Sequence, residues 1–229
     1  MAPPDRSWWC RRRCAATRPP ADRPASVSPE PGRLPSGRHG LSREEVARSQ
    51  RDRMMTALAD AMVEAGYGAT TVADVLRRAG VSRETFYQHF SSKQDCFLQT
   101  FDAAAAGLLA VLDGDARALR EASRAERFER LFGRYLDLIV ESPAYARLFL
   151  VESYAAGPAA IERRAAVQAR LVDGMVEALG LRRQRDRFAA EVLVAAVGSL
   201  VTAPLVAGDV AAVAALRDPV LALADDLFR

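Results

Sequence analysis

The sequence predicts an all-α fold in two parts, a three-helix N-terminal domain and a larger helical C-terminal domain. Half of the 229 residues are apolar, enough for a substantial core. No alternating run of β-branched residues with regularly spaced turn signals occurs. From residue 42 onward, apolar residues recur three and four apart, in blocks preceded by Ser or Thr and closed by Gly or Pro.

Residues 1–40 stand outside that pattern. They are rich in Pro, Arg, Ser and Gly and lack periodicity, so they cannot bury enough surface to offset the entropy of ordering and read as a disordered basic tail. Eight Arg against Asp5, Asp22 and Glu30 give this stretch +5 within a chain of net +3, leaving −2 for the rest. Bulk charge is thus weak support for a polyanion partner of the folded part. Two readings of the tail stand: a flexible basic arm, or a stretch ahead of the true start. Arg11–Arg13 lead into no apolar segment, so no signal peptide is expected.

The first helix opens at Ser42, where Ser42-Arg43-Glu44-Glu45 has the form of a capping box. Met54, Leu58, Ala61, Met62 and Ala65 give it one apolar side, and Gly66 supplies a positive-φ stop. Thr71 caps a second helix over Val72–Ala79, with Asp74 favoured at its positive end and Gly80 closing it. Ser82 caps a third, Arg83 to about Phe90. A short helix, a Gly-containing turn and a second short helix form the helix-turn-helix pattern. Ser91 or Ser92 starts a fourth helix bearing Phe97, Leu98, Phe101, Leu108, Leu109 and Leu112, with a break at Asp113-Gly114-Asp115. Further helices are expected over about Ala125–Glu141, Ala144–Ala156, Ala159–Leu179, Arg185–Val206 and Val210–Phe228. Ser142-Pro143 and Gly157-Pro158 separate the first three, because Pro removes a donor and clashes with the preceding turn.

On a helical wheel Phe86 and Phe90 share one face and should anchor the third helix. Glu84, Thr85, Tyr87 and Gln88 then point outward, with Arg83 at the margin. This array suits a probe for the major groove. It suits an ordinary solvated helix face equally well.

The resemblance to a known family separates the two. Gly66-Tyr67, Thr70-Thr71-Val72-Ala73-Asp74-Val75 and the run Ala79-Gly80-Val81-Ser82-Arg83-Glu84-Thr85-Phe86-Tyr87-Gln88-His89-Phe90-Ser91-Ser92-Lys93 resemble the DNA-binding domain of the TetR family of transcriptional regulators. The match runs over residues 41–101, leaving 102–229 as a helical ligand-binding and dimerisation domain. The resemblance implies that Thr71 and Ser82 meet phosphates. It implies that Tyr87, His89 and Lys93 contact the DNA backbone, and that Arg83, Glu84, Thr85 and Gln88 read bases. Arg43 and Arg48 would reach the flanking backbone. Glu84 departs from the small residue frequent at its position, and Leu76 from an Ala.

In the C-terminal half, Val192–Val206 is apolar on nearly all faces and requires burial on two sides. With Val213, Leu216, Val220, Leu223 and Leu227 at helical spacing, it points to a homodimer through about residues 186–228. Phe132, Tyr135, Phe149, Tyr154 and Met175 are the candidate ligand contacts; each fits plain core packing as well. The ligand implied is a largely apolar small molecule.

No enzyme is expected, since His39 lies in the tail and His89 in the reader, leaving no Ser-His-Asp arrangement. Cys10, Cys14 and Cys96 are too few for a disulfide framework and fit a reducing, cytoplasmic location. No metal and no cofactor are expected. Val192–Gly208 carries no charge, yet falls short of the ~20 apolar residues a membrane span needs and contains Pro204. The function expected is a repressor released from a palindromic operator by a ligand. The alternatives are a ligand-dependent activator and a helical carrier or interaction protein that leaves its reader unused.

Overall fold

The computed structural model describes residues 42–228, and among these it contains helices and turns but no strand. The expectations for residues 1–40 lie outside them. The helices are α1 (Arg43–Ala69), α2 (Val72–Ala79), α3 (Arg83–His89), α4 (Lys93–Ala118), α5 (Arg124–Glu141) and α6 (Pro143–Arg147). A π-helical segment, Leu148–Glu152, leads into α7 (Ser153–Ala155), followed by α8 (Pro158–Leu179), α9 (Gln184–Ala207), α10 (Val210–Ala215) and α11 (Arg217–Leu227). The described residues form two units, divided after Asp52.

The first unit contains, among described residues, the opening turns of α1. Ser42 N–H donates to Glu45 Oε2 at 2.7 Å and Glu45 N–H to Ser42 Oγ at 3.2 Å, the reciprocal capping that the sequence predicts.

The second unit, from Arg53, has two cores. One joins Met54, Leu58 and Met62 of α1, Val75 of α2, Phe86 of α3, and Phe97 and Phe101 of α4 to Leu148, Ala160 and Val167. The other joins Phe128 and Phe132 of α5, Leu179 of α8 and Leu193, Val197 and Val201 of α9 to Val213, Val220 and Phe228. Phe97 and Phe101 place the first half of α4 in the former core, so this helix runs across the expected boundary at residues 101 and 102.

Three expectations are corrected. Asp113-Gly114-Asp115 does not end α4, which continues to Ala118. A mid-helix Gly costs only ~1 kcal/mol relative to Ala, and nothing here offers the freed carbonyls another partner. The segment over 144–156 is three short pieces around a π turn. The last block is two helices meeting at Leu216. Pro219 has no N–H for the carbonyl four residues back and its ring crowds that turn, so a continuous helix is disfavoured. Along that block Val213, Val220, Ala224 and Phe228 are buried while Leu223 and Leu227 are exposed.

The turn between α1 and α2 is gripped from two directions. At Gly66 the backbone leaves the helix with φ 73° and ψ 165°, a conformation that favours glycine. Tyr67 N–H then donates to Glu152 Oε2 at 2.8 Å. The Lys93 ammonium donates to the carbonyls of Tyr67 and Thr70, both at 2.8 Å, and lies 4.2 Å from the Tyr67 ring centroid. Glu152 is buried, with the Arg147 guanidinium 3.8 Å away. Arg147 also donates to the Val206 carbonyl in the last turn of α9, at 3.3 Å. The turn is thus tied to α4 on one side and to the π segment on the other.

Truncating Phe86, fully buried, to Ala should cost ~3–5 kcal/mol in chemical denaturation; a loss below ~1 kcal/mol would show that the ring does not anchor α3. Glu152→Ala leaves the part-buried Tyr67 amide without its acceptor and Arg147 without its anion, for an expected loss of ~3–5 kcal/mol. An unchanged melting temperature would exclude Glu152 as a structural tie.

Candidate functional site

The candidate DNA-reading helices, α2 and α3, are set by their caps. Thr71 Oγ1 accepts from Asp74 N–H at 3.3 Å, while Thr71 N–H and Oγ1–H donate to Asp74 Oδ2 at 3.0 and 2.6 Å. The hydrogen bonds from Thr71, with that from Arg77, hold the Asp74 carboxyl at a pKa of about 2. Gly80 closes α2 in the left-handed region, at φ 63° and ψ 41°. Arg53 donates to the carbonyl of Ala79 at 3.0 Å, satisfying one of the last orphan acceptors. Ser82 then starts α3, its Oγ accepting from Thr85 N–H at 3.0 Å.

Phe86 and Phe90 are buried together, their ring centroids 5.4 Å apart. This fixes which side of α3 faces out. Arg83, Glu84, Tyr87 and Gln88 are exposed, Tyr87 to 50 %, and Thr85 is half-buried. The Arg83 guanidinium carbon lies 5.9 Å from the Tyr87 ring centroid. Ser82 Oγ and Thr85 Oγ1 share a hydrogen bond of 3.0 Å, so one of the two hydroxyls can still donate outward. His89 is half-buried beside Phe90, with ring centroids 6.2 Å apart. Thr71 is exposed, with its amide and hydroxyl hydrogens both on Asp74. Lys93 is half-buried and directs two of its three ammonium hydrogens to internal carbonyls. Burial lowers its pKa. Arg43 and Arg48 are exposed in the opening turns of α1, in the first unit.

A second candidate site lies in the C-terminal half. A cleft, partly open to solvent, runs between α4, α5, α8 and α9. Phe132, Tyr135 and Met175 line it, with Leu109, Leu112 and Val197. Burial pushes the Tyr135 hydroxyl up to about 12, partly offset by the charge of Arg164. Phe149 and Tyr154, expected to join them, do not line the cleft. Phe149 stacks on Phe101 with centroids 4.9 Å apart and belongs to the packing beneath α4. Tyr154 is 58 % exposed and hydrogen-bonded to Arg164, whose guanidinium carbon lies 4.9 Å from its ring centroid. Phe149 lies within the π segment and Tyr154 follows it, and an i→i+5 turn rotates the residues after it relative to an ordinary helix.

Sequence reasoning missed Glu152 and Arg147. The available signal was a carboxylate directly after the apolar run Leu148-Phe149-Leu150-Val151, where a charge requires a partner.

Comparison with known proteins places these features. Residues 55–100 match the family model for bacterial regulatory proteins of the tetR family. The HTH-type transcriptional activator FasR of Mycolicibacterium smegmatis is 28 % identical over 152 residues, which span 64 % of this chain and 68 % of that protein. The fatty acid degradation regulator FadR of Bacillus halodurans superposes with a TM-score of 0.63 at 18 % identity, covering 77 % of this chain and 97 % of the other. FadR of Bacillus subtilis, solved in complex with stearoyl-CoA, gives a TM-score of 0.62 at 17 % identity, covering 75 % and 96 %. Two short capped helices with a buried aromatic pair and an exposed polar face thus lie within the segment that matches the tetR-family model, and the whole described fold is similar to that of the two FadR regulators.

Proposed function

We propose that the protein is a homodimeric repressor that leaves a palindromic operator when a largely apolar ligand enters the cleft between α4, α5, α8 and α9. The observation that carries the DNA-binding half is α3. It is a seven-residue helix whose one side is locked by Phe86 and Phe90 and whose other side offers Arg83, Glu84, Thr85 and Gln88 to base edges. Tyr87, His89, Ser82 and the remaining hydrogen of Lys93 serve the phosphates, with Arg43 and Arg48 on the flanking backbone, whereas Thr71, expected among them, has both its hydrogens on Asp74 and acts as the cap of α2. Residues 41–101 would act as the DNA-binding domain and 102–229 as the ligand-binding and dimerising one. The protein would work in the bacterial cytoplasm.

Support for the dimer comes from the outer face of α9 and its continuation. Phe188, Val192, Leu200, Val206 and Val210 are exposed, although Leu193, Val197 and Val201 on the same helix are buried. An apolar row of this extent calls for a cover, and a second copy of α9 and α11 supplies one by two-fold symmetry. Helices Lys93–Ala118 and Gln184–Ala207 are also long and apolar enough to cross a membrane by composition alone. Two such reading heads would sit one helical turn of DNA apart, ~34–36 Å. The ligand must bind the incompetent spacing more tightly, since equal affinity shifts nothing. The stearoyl-CoA complex of the B. subtilis regulator favours an acyl chain as the occupant. A second reading, ligand-dependent activation, is favoured by the activator FasR. In vitro transcription from the bound promoter separates the two by sign.

Fluorescence anisotropy on DNA upstream of the gene tests the reader. Thr85→Ala and Gln88→Ala should change base preference by ~1–3 kcal/mol at single positions. Tyr87→Phe should weaken binding to all sequences alike. Unaltered affinity and preference in all three would remove α3 from the interface. Leu200→Glu should yield monomers in sedimentation and abolish operator binding; a dimer of unchanged affinity would move the interface elsewhere.

A further inference from the structure

We infer that Glu84 selects cytosine in the operator by accepting a hydrogen bond from its exocyclic amine, and that the same carboxylate disfavours every site lacking that amine. This rests on the reading of α3 as the helix that enters the major groove. Phe86 is fully buried and fixes the inward direction of α3. At ~100° per residue, Glu84 and Gln88 each stand ~160° from it, Thr85 and Tyr87 ~100°, and Arg83 only ~60°. The crest of the exposed face therefore carries Glu84 and Gln88, and Arg83 lies on its flank.

Of the two crest residues Glu84 alone is charged, and no protein group neutralises it. Among the described residues its carboxylate has no hydrogen bond or ion pair, whereas three nearby acids are held. Asp74 receives Arg77 at 2.7 Å, Glu64 receives Arg78, and Asp95 accepts from the Ser91 amide at 2.8 Å. The adjacent cation does not serve Glu84 either. Arg83 places its guanidinium carbon 5.9 Å from the Tyr87 ring centroid and makes no ion pair with its neighbour.

On an open surface such a carboxylate is simply hydrated. Brought into the groove it loses water among phosphates, which is unfavourable unless a base edge supplies a donor. The donors there are the amines of cytosine and adenine, while guanine and thymine present only acceptors. The adenine amine stands beside N7, an acceptor that a carboxylate repels; the cytosine amine has no acceptor next to it on its own base. Glu84, with no hydrogen to give, thus fits cytosine, and Gln88, with donor and acceptor together, fits adenine. Selection by Glu84 works largely by penalising wrong sites.

Enrichment of duplexes from a random library by the full-length protein, followed by fluorescence anisotropy on single-base-pair variants, tests this. The wild type should require cytosine at one position of each half-site, any other base there costing at least ~5-fold in affinity. Glu84→Gln should move that preference to adenine. Glu84→Ala should level the four bases at that position and bind random-sequence DNA severalfold tighter than the wild type, most of all at low salt. A loss of affinity confined to stability would move neither base preference nor random-sequence binding in these directions. Wild-type base preferences retained in Glu84→Ala, a levelled position that selected a base other than cytosine, or random-sequence binding that is not tightened overturns the assignment and leaves α3 as the reader. Failure of the wild type to retain any duplex overturns the reader itself, and the assignment with it.

Discussion

The grip on the turn between α1 and α2 is the constraint on which the geometry of the reader depends. Glu152 takes the Tyr67 amide and Lys93 takes the Tyr67 and Thr70 carbonyls, so three backbone groups of one turn are held by side chains distant in sequence. Removing either partner leaves buried polar groups unpaired, which is costly in a low-dielectric interior. The turn in turn fixes where Thr71 starts α2, and α2 carries α3 with it. The orientation of α3 is therefore referred to α4 and to the π segment.

α4 connects this grip to the cleft. Lys93 stands at its first residue, and Leu109, Leu112 and Asp113 line the cleft in its second half. A straight helix of 26 residues spans ~39 Å, and it is stiff because its interior backbone hydrogen bonds are made within it. Under the proposed ligand mechanism, a tilt imposed at the cleft end would move Lys93 and with it the turn. Glu152 stands on a second connection, since Arg147 joins it to the end of α9, the helix that carries the exposed apolar row. The first connection runs through charge-assisted hydrogen bonds, and the second through such bonds and the 3.8 Å ion pair of Arg147 and Glu152.

The helix-turn-helix was legible because its signals are local. Thr71, Gly80 and Ser82 act on backbone within three or four residues, and the spacing of Phe86 and Phe90 states which face turns inward. The same kind of signal stood at Ser123 and Glu126, where a capping box opens α5 one residue before the expected start. Gly114 and the block after Val210 misled for a physical reason. A breaker residue lowers helix stability by a fixed amount, but whether the helix ends depends on what its freed groups can bond to. In α4 they found no alternative, whereas at Leu216 the missing donor of Pro219 had no remedy.

By itself the sequence determined the class of fold, the limits of α2 and α3, the side of α3 that faces out and the surplus of apolar surface on α9. All of these follow from hydrogen bonds and side-chain directions within a few residues of one chain segment. Only the tertiary structure decided that Lys93 and Glu152 converge on one turn, that Phe149 packs beneath Phe101 instead of lining a pocket, and that α4, α5, α8 and α9 flank a cleft. Each brings together residues dozens of positions apart, and such meetings depend on helix packing and on the extra residue of a π turn, neither of which periodicity encodes.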